Sequence, residues 1–132
     1  MTSPPRRHIH LLRATLALLL VVILHLATAE LETPPAMGLN DKATHLAAFF
    51  VLALLTDFSF PASRFTLWKI TGLLLYGGLI ETIQYHLPYR TFSLMDLAAD
   101  GLGIAAYGLS VPLLRRLPIL KNRWHWTLKD CG

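Results

Sequence analysis

The residues of this chain best suited to chemistry are Lys42, His45, Glu81, Gln84, Arg90, Ser93, Asp96 and Asp100, all in or beside strongly apolar stretches. An ionisable group at bilayer depth costs ~3 kcal/mol even on the lenient insertion scale. Their types define what could offset that cost. Glu81 with Asp100 is a candidate carboxylate pair for acid–base work, and His45 is a further acid–base candidate. Arg90 and Lys42 suit a phosphate, Arg90 as a bidentate fork. Gln84 and the carboxylates suit sugar hydroxyls or amines. His45, Glu81, Asp96 and Asp100 offer one nitrogen and several oxygens to a metal, but no short ligand motif of the H-E-x-x-H kind accompanies them. Neither metal nor cofactor is therefore expected.

The elements that must position these groups are helices. The 132 residues are 54% hydrophobic and 15% charged, more apolar and less charged than an ordinary soluble domain. Four stretches approach the ~20 apolar residues a membrane helix needs: 11–29, 43–60, 66–87 and 92–114. The expected fold is all-α, a polytopic bundle of four transmembrane helices. Residues 1–10 form an N-tail, 11–114 the membrane domain and 115–132 a basic tail. The first run also has the outline of a secretory signal, with Arg6 and Arg7 before the apolar middle and Ala27-Thr28-Ala29 before Glu30. Its length favours a retained helix.

Charge sets the expected orientation. The N-tail, the middle loop and the C-tail hold all of the twelve Lys and Arg except Lys42 and Arg90, so the positive-inside rule places both termini in the cytoplasm. The net charge of +4 flanks apolar runs instead of forming a stripe, which excludes nucleic acid as the expected partner. Membrane lipids are expected instead; the basic tail reads as a topology tail with Trp124 and Trp126 at the interface, and it also suits an anionic leaflet. The lone Cys131 defines neither a disulfide nor a zinc site.

Spacing gathers the polar groups. Asp41 and His45 are i,i+4, Glu81 and Gln84 i,i+3, and Ser93, Asp96 and Asp100 share a face. At 1.5 Å per residue, Glu81 and Asp100 sit ~12 Å below the outer boundary and His45 and Asp96 ~6 Å below it, with Gln84 near that level. Lys42 and Arg90 stand at the mouth, where they are expected to offset the acids. Gly77, Gly78, Gly101, Ala105 and Gly108 are expected to let the helices approach. Ser93 reads as the N-cap of the fourth helix, and Asp57 as the inner end of the second.

In order, Asp41-Lys42-x-x-His45-x-x-x-Phe49, Tyr76-Gly77-x-x-Ile80-Glu81-x-x-Gln84 and Pro88-x-Arg90-x-x-Ser93-x-x-Asp96-x-x-Ala99-Asp100-x-x-Gly103 resemble the VanZ-like family of small bacterial membrane proteins over residues 41–110. Asp100 departs from the asparagine of many members and makes the cluster more acidic. The resemblance implies a multi-pass protein of the bacterial cytoplasmic membrane, associated with resistance to the glycopeptide teicoplanin. On that reading the outward polar cluster binds an envelope lipid or a lipid-linked wall precursor. Two other readings stand beside it: an enzyme using the carboxylate pair on such a lipid, and an ion-pair network that only fixes helix packing.

Overall fold

A computed structural model describes residues 6–30 and 39–124. The expectations on Trp126 and Cys131 lie outside these residues. The described chain is all-helical: α1 (Arg6–Thr28), α2 (Leu39–Ser59), α3 (Leu67–Tyr85) and α4 (Leu94–Leu114), followed by a short 3₁₀ turn (Lys121–Trp124). Asp41 in the first turn of α2 opposes the positive end of the helix dipole. Ser93 caps α4, its Oγ accepting from Asp96 N at 3.3 Å, as the sequence predicts. Pro61 and Pro88 follow the ends of α2 and α3 and cannot continue them.

Among the described residues, three helices are long and apolar enough to cross a membrane: α1, α2 from Asn40 to Ser59, and α4. Four were expected. Helix α3 falls outside this set because its 19 residues include Lys69, Glu81 and Gln84, all of which it buries. It is the polar spine of the bundle.

The central helix is α2, which packs against all three others and most closely against α4. Gly103 makes that approach possible. A Cβ there would collide with the backbone carbonyl of Leu46 and lie 3.0 Å from Phe50 N. Of the expected small-residue seam only Gly77 packs closely, a Cβ there standing 2.8 Å from Asp100 Oδ2 and 3.2 Å from Phe49. Gly78 faces open space, Gly101 and Gly108 make only ordinary contacts, and Ala105 is exposed. Gly103 lies on the same face as Asp96 and Asp100, at i,i+7 and i,i+3, so its packing role follows from theirs. The apolar core, including Phe49, Leu52, Leu73, Ile104 and Tyr107, lies between these helices.

Helix α1 is held differently. Leu16 is its one buried residue, and its carbonyls supply much of the attachment. Tyr76 donates to Leu20 O at 2.6 Å, Gln84 to Ala27 O at 2.9 Å, and Tyr89 to Thr28 O at 2.9 Å. Arg90 Nη2 donates to Leu26 O and Ala29 O at 2.9 and 3.1 Å. The last carbonyls of a helix lack partners within it, and a cation there complements the dipole. Arg90 thus caps α1.

At the opposite end, Asp57 is a buried hub. Its carboxylate accepts from Lys69 Nζ at 2.8 Å, Tyr107 OH at 2.7 Å and Arg123 Nη2 at 2.7 Å. Lys69 also donates to Phe60 O and Ser63 O. Arg123 reaches Asp57 O and Pro61 O. Asp57 is 0% and Lys69 1% exposed, so the pair is closed inside the protein. Part of the basic tail folds back: Arg123 binds the end of α2 and the link after it, while Asp57 ties that end to Lys69 of α3 and Tyr107 of α4.

Candidate functional site

At the end of the bundle where α1 and α3 finish and α2 and α4 begin, the side walls enclose a cleft of about 340 Å³. Asp41 and His45 project from α2, Gln84 from α3, Arg90 from the α3–α4 link, and Asp96 from the first turn of α4. Ile23, Leu26 and Ala27 of α1 close it with an apolar wall.

Ion pairs order the polar side. Lys42 Nζ donates to Asp96 Oδ1 at 3.0 Å. His45 Nδ1 and Asp100 Oδ1 are 2.8 Å apart. That contact orients the ring and turns Nε2 towards Asp96 Oδ2, 3.9 Å away. Asp100 is buried, and Gly77 makes room for it: a Cβ at position 77 would stand 2.8 Å from Asp100 Oδ2.

Glu81 and Asp100 are both deep, but no hydrogen bond joins them. Glu81 Oε2 accepts the backbone N–H of Ser93 at 3.0 Å, fixing the start of α4. Its Oε1 is buried with no partner among the described residues. The expected compensation of the acids by both mouth cations is therefore only half realised. Lys42 serves Asp96, while Arg90 serves the end of α1. Around the cleft, Asp41, Glu81, Asp96 and Asp100 outnumber these two cations, so the site is rich in acceptors.

The eight predicted residues thus occupy three roles. His45, Gln84, Arg90 and Asp96 line the cleft. Lys42 and Asp100 hold Asp96 and His45 in place. Ser93 and Glu81 secure the helix start behind it. Asp41, absent from the predicted ligand set, lines the cleft as well; its i,i+4 spacing from His45 was the available signal. The apolar wall from α1 had none, since α1 carries no polar motif.

A second depression of about 540 Å³ runs along α1 and α2, lined by Leu19, Ile23, Ala43, Thr44, Ala47, Ala48 and Val51. Ile23, Thr44 and Ala48 line both spaces. A polar cleft therefore adjoins an apolar groove on the side of the bundle.

The chain is 35% identical over 108 residues to an uncharacterised protein of the fission yeast Schizosaccharomyces pombe. The match covers 78% of this chain and 65% of the relative, so the chain spans less than two thirds of the relative's length. No family model matches the chain, and no solved structure matches it.

Proposed function

We propose that the protein is a VanZ-like multi-pass membrane protein whose cleft binds one membrane amphiphile, head group in the cleft and tail in the α1–α2 groove. The adjoining of the two spaces at Ile23, Thr44 and Ala48 carries this reading. An isolated polar cleft would suit a soluble ligand; one that opens into an apolar trough on the lipid side suits a molecule with both characters.

The cleft's lining refines the head group. The lining brings Arg90 together with Asp41, His45 and Asp96. A zwitterionic phosphate–amine head group complements both signs of charge, with phosphate towards Arg90 and ammonium towards the carboxylates. This chemistry replaces the purely phosphate-directed role expected for Arg90 and Lys42. A relative in a fission yeast favours a lipid common to many membranes over a wall precursor. In a bacterial host, the same binding would change the surface that a glycopeptide meets, as the family resemblance suggests. In the membrane, α3 turns Leu67, Leu74, Leu75 and Leu79 outward and Lys69, Glu81 and Gln84 inward, the termini face the cytoplasm and the cleft opens on the outer side, in keeping with the distribution of Lys and Arg.

Native mass spectrometry of the full chain released from detergent tests the proposal. Wild type is expected to retain one lipid per protein. Ala48→Trp, placed where cleft and groove meet, is expected to lose it while keeping the wild-type melting temperature. Equal lipid retention in both proteins would overturn the reading. A chemically altered lipid produced by wild type and absent with His45→Gln would move it to the enzyme alternative, with His45 and Asp100 as the acid–base pair.

A further inference from the structure

The geometry points to a divalent transition-metal site formed by His45, Asp41 and Asp96 at the mouth of the cleft. One potential ligand atom from each lies within 4.8 Å of the others. His45 Nε2 and Asp96 Oδ2 are 3.9 Å apart, too far for a hydrogen bond yet within the span of two bonds of about 2.1 Å to one ion.

What lies behind these atoms strengthens the assignment. Metal-bound histidines commonly give their other ring nitrogen to a carboxylate, which fixes the ring and raises its basicity. Asp100 stands at His45 Nδ1 in that position, at 2.8 Å. Ligating carboxylates are themselves usually hydrogen-bonded, and Lys42 holds Asp96 by Oδ1 at 3.0 Å. Each pairing leaves the other atom, Nε2 or Oδ2, turned to the shared gap. Behind these residues, Glu81 is 2% exposed and its Oε1 has no partner among the described residues.

One imidazole with two carboxylates suits Zn²⁺ or Mn²⁺ better than the oxygen-loving Mg²⁺ or Ca²⁺. Three protein ligands leave a position open, the pattern of a reactive site and not of a closed structural one. All three residues line the cleft, so the open position faces whatever occupies it. The ion and the ammonium of a zwitterionic head group would compete for these carboxylates, so the metal site stands apart from amphiphile binding and is tested without added lipid.

The test uses full-length protein in detergent, without a histidine tag, stripped with chelator and titrated with Zn²⁺ and Mn²⁺ alone. One equivalent of at least one ion is expected to bind and to raise the melting temperature. His45→Gln and Asp96→Asn should abolish this binding, and Asp100→Asn should weaken it ~10–100-fold. Asp41 makes no hydrogen bond among the described residues, so Asp41→Asn keeps the fold and should still weaken binding. No stoichiometric binding of either ion, or binding unchanged in Asp41→Asn and His45→Gln, would overturn the assignment.

Discussion

At the scale of single residues, the buried positions make the sharpest demands. Gly103→Ala drives a methyl into the backbone of α2 and should cost about 1–3 kcal/mol. Gly78→Ala meets open space and should be neutral or stabilise by up to about 1 kcal/mol. Thermal unfolding of the two variants in the same detergent separates a packing role from helix propensity. Asp57→Asn keeps the hub's volume but leaves Lys69 and Arg123 buried without their carboxylate. A loss of about 3–5 kcal/mol is expected, and unfolding should begin at the Arg123 end. Glu81→Gln is a contrasting case. Glu81 pairs with neither Lys42 nor Arg90, and a glutamine oxygen can still accept from Ser93 N. Its stability should therefore stay within about 1 kcal/mol of wild type, measured by the same unfolding.

At the scale of elements, the sequence predicts all four helices and their C-terminal ends closely, because apolar length and proline positions are local signals; α1 and α2 begin at Arg6 and Leu39 instead of 11 and 43, so part of the expected N-tail is helical. It also predicts which polar residues gather at one end, since Asp96 and Asp100, and Glu81 and Gln84, occur at helical spacing. It does not reveal how they pair. Arg90 lies in a link and could reach several acceptors; its choice of the α1 carbonyls depends on where α1 docks, which no local pattern encodes. The same holds for Asp57, whose partners Lys69, Tyr107 and Arg123 come from three later parts of the chain. The docking of α1 can be tested directly. Arg90→Ala removes two hydrogen bonds from the end of α1, so amide exchange in residues 24–30 should accelerate while α4 remains protected. Unchanged exchange there would mean that Arg90 does not hold α1.

At the scale of the whole molecule, the bundle has two unlike polar ends. One is a closed knot centred on Asp57, with every carboxylate oxygen engaged. The other is an acceptor-rich cleft with an unpartnered oxygen behind it and an apolar groove beside it. At the first end Ser59 Oγ and Trp124 Nε1 lack partners among the described residues, but the carboxylate is fully paired and marks a structural lock; the second end has room for a ligand. Their separation predicts a sidedness. A cysteine at Asn40 should react with an impermeant reagent from outside intact cells, and one at Arg64 only after lysis; the reverse pattern would invert the orientation. The most direct measurement of the central claim places a photoreactive residue at Thr44, where cleft and groove meet, and another at Leu109, 82% exposed on α4. After irradiation in native membranes, the account predicts one lipid class crosslinked at position 44 and the bulk lipid mixture at position 109. The same unselective mixture at both positions would contradict it.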